Sequence, residues 1–198
     1  MNDFEQLRAY EPKGDAEAAE LAEILRWMDL FPDTVLLRDC PAHLTASTFV
    51  VNADASKILF AYHNIFDAWA WLGGHADGDG DLLAVALREL EEETGITRYR
   101  PLTGEIDSVD ILPVWMHQKR GRVVPSHLHL NVSYLVVAEE GQPLRAAEGE
   151  NQAVAWIPAD KMMEYSGELD MTYTYEKLLH QAQELLGGEA RKGNDGNE

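Results

Sequence analysis

The stretch Gly73 to Ile96, GGHADGDGDLLAVALRELEEETGI, constrains this chain more than any other. Leu82, Leu83, Val85, Ala86, Leu87 and Leu90 recur at helical spacing behind Asp81, which suits an N-cap, and Gly95 suits the left-handed residue after a helix end. The spacing predicts a helix over residues 81–94. Its last two turns hold Glu89, Glu91, Glu92 and Glu93, with Arg88 the only cation among them. Carboxylates near a helix C-terminus oppose the macrodipole. Glu89 also shares a face with Glu92 and Glu93, at i+3 and i+4, where each like-charge pair costs roughly 0.2–0.5 kcal/mol. A positive partner is expected there. A hard divalent cation meets the requirement, since Mg²⁺ prefers carboxylate oxygen and is commonly shared with substrate phosphates. A solvated acidic face is the plainer reading.

The flanks add weight to the first reading. Gly74, then Arg88-Glu89-Leu90-Glu91-Glu92-Glu93-Thr94-Gly95-Ile96, resembles the Nudix box, G-x5-E-x7-R-E-U-x-E-E-x-G-U with U aliphatic. One specified position departs: Gly80 stands where the family has its first Glu. The resemblance implies divalent ions, Mg²⁺ or Mn²⁺, held on the box helix and the loop before it. Glu92 and Glu93 match the adjacent metal-ligand pair, Glu89 a ligand or base, and Arg88 the residue that orients the carboxylates. Gly73 and Gly74 allow a tight turn and close approach to a ligand, and the Gly73 carbonyl is a further candidate ligand. Asp77, Asp79 and Asp81 surround the gap at Gly80 and are expected to reach it.

Composition narrows the partners. With 16 Lys and Arg against 35 Asp and Glu, the net charge of −19 repels a polyanion, so long nucleic acid is an unfavourable partner and a small metal-held phosphate compound is not. Cys40 is the single cysteine, which excludes an intrachain disulfide and fits a cytoplasmic protein. No apolar run approaches the roughly 20 residues of a membrane span. Dimerisation is common in the superfamily, and the N-terminal helix offers a surface for a homodimer.

Along the chain, Ala18, Leu21, Ala22, Leu25 and Met28 form a helical stripe within residues 15–31, and Pro32 ends it. A short second helix is expected over 33–38. Residues 45–51 and 57–63 read as a hairpin around a turn at 52–56, followed by an alternating segment 67–72 carrying Trp69 and Trp71. Further strands are expected at 104–112, 128–137 and 154–157, a helix starting at Pro158, and a closing amphipathic helix over 173–186. Residues 187–198 have little to bury and read as a disordered tail. The expected organisation is an N-terminal helical extension over 1–43 and one α+β domain over 44–186. The resemblance adds the Nudix fold, a mixed sheet layered between helices.

Outside the box, Glu150 in EGENQAVAWIP resembles the loop acid that family members place before the last strand as a base or ligand, with Glu148 its rival. His117 to Arg122 is a local cationic loop in an acidic chain. Arg120 and Arg122 are candidates to meet a substrate phosphate, against the plainer reading of a solvated hairpin tip. His127 and His129 alternate on a strand and share a face. His127 and Trp71 are candidate substrate contacts, with structural roles as the alternative. The resemblance implies a metal-dependent hydrolase that cleaves a diphosphate linkage in a nucleoside diphosphate derivative or a related small organic diphosphate. Gly80 motivates the alternative of a ligand-binding module without turnover. An isopentenyl diphosphate type isomerase would need an active-site cysteine, and Cys40 sits in no matching motif.

Overall fold

The structure, a computed structural model, describes residues 3–64, 67–119 and 121–195. Two short helices open the chain, α1 (Asp3–Ala9) and α2 (Asp15–Leu30). Strands β1 (Ala42–Val51), β2 (Lys57–His63), β3 (Ala68–Ala70) and β4 (Leu72–His75) lead into α3 (Leu82–Thr94). Then come β5 (Tyr99–Pro101), β6 (Ser108–Val114), β7 (His117–Lys119), β8 (Arg122–Val124), β9 (His127–Ala138) and β10 (Asn151–Pro158). Helices α4 (Met162–Ser166) and α5 (Thr172–Asp195) end the chain. A mixed sheet with helices makes this an α+β protein. Its strand order is β10-β2-β1-β9-β5, with β3 on β2, β4 on β1 and β6 on β9, while β7 and β8 form a separate hairpin.

The chain divides into two compact units, with β1, β4, α3 and β9 each contributing residues to both. The first comprises 1–47, 73–89 and 104–134. Its core gathers Leu7, Leu21, Ile24 and Met28 from the N-terminal helices with Leu44, Leu82, Val85, Val109 and Val132. Each such side chain contributes about 1.5–3 kcal/mol on burial, so α1 and α2 support this unit through packing. Glu17 on α2 is buried there and takes on turn and strand donors: its carboxylate accepts from Tyr10 Oη at 2.9 Å, from the Lys13 N–H, and from the Val109 N–H on β6 at 3.2 Å. Val109 pairs with Val132 in the antiparallel β6–β9 ladder, which runs from Ser108↔Ser133 to Val114↔His127.

The second unit comprises 48–72, 90–103 and 135–198. Its centre is aromatic. Tyr175 of α5, fully buried, lies 5.2 Å from the Phe60 ring and 6.0 Å from Phe49, with Trp71 edge-on at 5.5 Å. The antiparallel ladders Val50↔Leu59 and Trp156↔Leu59 set β1, β2 and β10 side by side.

Several expectations change in detail. Residues 33–38 form hydrogen-bonded turns instead of a helix, closed by Val35 N–H to Phe31 O and Leu37 N–H to Thr34 O. The strand expected from Gly104 starts at Ser108, because Gly104 has φ of 72° and turns the chain first. The segment 67–72 splits into β3 and the start of β4, with Asp67 at positive φ. The tail expected to be disordered continues α5 to Asp195, helped by a tie between Glu189 and Arg100 on β5; residues 196–198 lie outside the described residues.

Candidate functional site

The loop from β4 to α3 is held by its own acids. Asp81 Oδ1 accepts from the Ala84 N–H at 2.9 Å, capping the helix. Asp79 Oδ1 accepts from the Asp81 N–H at 3.1 Å, and Asp79 Oδ2 pairs with Arg88 Nη1 at 3.4 Å. Asp77 pairs with Arg38, which holds its carboxyl below the usual carboxylate range. All three acids expected to cover the gap at Gly80 are therefore engaged elsewhere.

The carboxylates of α3 differ in exposure. Glu92 is exposed and Glu89 half-buried, while Glu93 is 5% exposed. A carboxylate buried to that extent needs partners. Glu93 Oε1 accepts from Asn151 Nδ2 at 3.2 Å. Asn151 opens β10, and its own Oδ1 is buried without a hydrogen-bond partner. Glu150 immediately precedes it, fixed by its backbone: its N–H donates to Ala147 O at 3.2 Å and its carbonyl accepts from the Asn64 N–H at 3.0 Å. The loop acid is thus one residue from the side chain that touches Glu93.

Both glycines before the helix are explained by close approach. A Cβ at Gly73 would stand 2.6 Å from Ala46 O and 2.7 Å from Ser47 Cα, both backbone atoms of β1. A Cβ at Gly74 would stand 2.6 Å from either carboxylate oxygen of Glu89. Gly74 is therefore the surface against which the Glu89 carboxylate rests. Gly80 differs: the nearest atom to its Cβ direction is Phe4 Cε2 at 3.5 Å, so the position has room for a side chain.

The described contacts of Arg122, Trp71 and His127 lie with other partners. Arg122 is exposed on β8 of the β7–β8 hairpin, and Arg120 lies outside the described residues. Trp71 packs on Tyr175, whose Oη accepts from the Trp71 N–H at 3.3 Å. His127 sits beside His129, their Nε2 atoms 3.2 Å apart, so the two share a face as the alternation on β9 predicts. The sequence reading missed Asn151 as a partner of Glu93, and nothing in its own neighbourhood signals that contact.

A family model described as the NUDIX domain matches residues 41–178. The chain belongs to the Nudix family. Nudix hydrolases generally require a divalent metal. Among solved structures, the Escherichia coli dihydroneopterin triphosphate pyrophosphohydrolase is 13% identical with a TM-score of 0.51, covering 72% of this chain and 94% of that one. A Caenorhabditis elegans Ap4A hydrolase is 17% identical with a TM-score of 0.49, covering 73% and 98%. A Nudix family hydrolase from Clostridium perfringens is 20% identical with a TM-score of 0.47, covering 73% and 96%. At such identities the likeness is one of fold. No curated protein matches the sequence.

Proposed function

We propose that this chain is a divalent-metal-dependent Nudix pyrophosphohydrolase acting on a diphosphate linkage in a nucleoside diphosphate derivative or a related small organic diphosphate. The observation that carries the reading is the donor set on α3. Glu89, Glu92 and Glu93 lie together on the last two turns of α3, and Arg88 beside them pairs with Asp79. The buried Asn151 Oδ1 beside Glu93 adds an acceptor with no donor to satisfy it. Oxygen donors of this kind suit Mg²⁺ or Mn²⁺.

Glu92 and Glu93 would hold the ion, with Glu89 and the Gly73 carbonyl as further ligands. When bound, the ion lowers the pKa of a water molecule and neutralises charge on phosphoryl oxygens. Glu89 or Glu150 takes up the proton released by the attacking water. Asn151 fixes the rotamer of Glu93, and Gly74 leaves Glu89 the space it occupies. Arg122 and Arg120 offer planar donors to a substrate phosphate or carboxylate, and Trp71 an aromatic face to a base.

The test is hydrolysis of a panel of nucleoside triphosphates, nucleotide sugars, ADP-ribose, dinucleoside polyphosphates and dinucleotide cofactors with Mg²⁺ or Mn²⁺, beside Glu92→Gln, Glu93→Gln. Metal-dependent cleavage lost in that variant supports the proposal and names the substrate class. Tight binding of one of these compounds without turnover would replace it with the ligand-binding module that Gly80 favours.

A further inference from the structure

Four histidines from three strands of the first unit converge on one point: His43 on β1, His75 at the end of β4, and His127 and His129 on β9. One ring nitrogen from each lies within 4.8 Å of one from every other. His43 is central, with ring centroids 5.1 Å from His75 and 5.2 Å from both His127 and His129; His75 and His129 are 4.9 Å apart. We propose that these four imidazoles bind a borderline first-row divalent cation, Zn²⁺ foremost, in a closed structural site separate in ligand chemistry from the carboxylates of α3.

The tautomers support it. His43 Nδ1 lies 2.6 Å from Cys40 O and His127 Nδ1 lies 2.9 Å from Pro125 O. A carbonyl only accepts, so both Nδ1 atoms carry their protons, and both Nε2 atoms are directed away from these carbonyls. An imidazole that donates one N–H to a backbone carbonyl is the arrangement that orients a metal-ligating histidine. His43 Nε2 is buried and has no hydrogen-bond partner, an uncompensated acceptor that a metal ion would satisfy. His127 Nε2 and His129 Nε2 are 3.2 Å apart, close to the roughly 3.3 Å that nitrogens keep on a tetrahedral zinc with 2.0–2.1 Å bonds. The other pairs lie within 4.8 Å of one another, so the site as a whole must close on the ion to reach that spacing.

Donor type fits as well. Imidazole nitrogen suits zinc, copper, iron and nickel, whereas Mg²⁺ and Mn²⁺ favour the oxygen donors of α3. Four protein ligands fill a tetrahedral shell and leave no position for substrate, so the ion's role is to tie β1, β4 and β9 together.

The experiment uses the full chain, freed of any affinity tag, stripped of metal and titrated with Zn²⁺, and with Co²⁺ as a spectroscopic probe. One equivalent should bind, Co²⁺ should give the intense visible absorption of a tetrahedral nitrogen site, and saturating Zn²⁺ should raise Tm by about 5–10 °C at a hundredfold excess over its dissociation constant. Glu92→Gln, Glu93→Gln should keep the Co²⁺ spectrum and the Tm rise. His43→Gln and His129→Gln, made separately so that one misfolding variant does not decide the matter, should lose both. Failure of the unmodified chain to bind Zn²⁺ stoichiometrically, an octahedral Co²⁺ spectrum, or retention of binding in a folded histidine variant would overturn the proposal.

Discussion

The carboxylates of α3 and the histidines around His43 are two donor sets built in opposite ways. The first comes from one helix, where spacing of three and four residues gives its acids a common face, and one member, Glu92, stays in water. The second comes from three strands, has His43 buried and the other three rings partly buried, and carries no formal charge when its rings are neutral. A charged, partly solvated oxygen set suits a hard ion that keeps waters and shares them with a substrate. A neutral nitrogen set of four protein ligands suits a borderline ion that is held and never exchanged with substrate. Proximity of ligands alone does not separate chemistry from support; donor type, exposure and open coordination positions do.

The largest effect that sharpens this contrast is on turnover. Glu92→Gln, Glu93→Gln should lower hydrolysis by roughly 10²–10³-fold or more, the scale on which enzymes lose rate when a transition-state charge is left unstabilised. The His43 and His129 variants that fold should retain hydrolysis within about twofold, since neither residue is assigned to the reaction. A matching collapse of activity in His129→Gln with unchanged Tm would merge the two sites into one.

Metal removal separates them without mutation. After chelation, Mg²⁺ alone should restore hydrolysis and leave Tm low, while Zn²⁺ alone should restore Tm and not hydrolysis. Scanning calorimetry and a phosphate-release assay on the same sample check both halves. Recovery of activity and Tm together with either ion alone would break the comparison.

The helix acids were legible in the sequence because their relation is local. A period of 3.6 fixes which residues share a face before any tertiary contact forms, and Asp81 and Gly95 mark the ends by mechanism. The histidine set was legible only in part. The alternation of His127 and His129 placed those two on one face, but His43 and His75 join them through strand pairing over more than 50 residues, which no local pattern encodes. His75 follows Gly73 and Gly74 directly, so its place in the box is visible while its partners are not. Asn151 is similar: its value to Glu93 depends on where β10 begins, and the flanking Gly149 and Glu150 mark a loop and its candidate acid without pointing to this contact. The three acids around Gly80 show the reverse error, since proximity in sequence suggested free carboxylates and the fold engages each of them.

A smaller effect tests positioning within the carboxylate set. Asn151→Ala removes the donor from Glu93 and should lower kcat about tenfold or more, the usual cost of losing a hydrogen bond that orients a ligand. The apparent affinity for Mn²⁺ should fall with it, and Asn151→Ser should recover part of both. Loss of Tm with kcat and Mn²⁺ affinity unchanged would mark Asn151 as structural. Gly73→Ala addresses the backbone beneath: with Ala46 O and Ser47 Cα in the way, it should cost about 1–3 kcal/mol of stability by overpacking. Urea unfolding reads that directly, and an unperturbed midpoint would show that β4 can move off β1.

The smallest effect expected is at Gly80, where the chain departs from its family. Its φ is not in the left-handed region and its Cβ direction meets only Phe4 Cε2 at 3.5 Å, so Gly80→Glu should change stability by less than about 0.5 kcal/mol. Its effect on rate follows from what the other acids are doing. Asp77, Asp79 and Asp81 are tied to Arg38, to Arg88 and to the helix N-terminus, so none of them substitutes for the missing carboxylate. If Glu89, Glu92 and Glu93 suffice for the ion that does the chemistry, an added Glu raises metal affinity and leaves kcat within about threefold, a change of some 0.7 kcal/mol in barrier. A tenfold or greater gain in kcat would instead show that the helix carries an incomplete set. The Zn²⁺-dependent Tm rise should be the same in both proteins, which keeps the histidine set as the internal control for the carboxylate one.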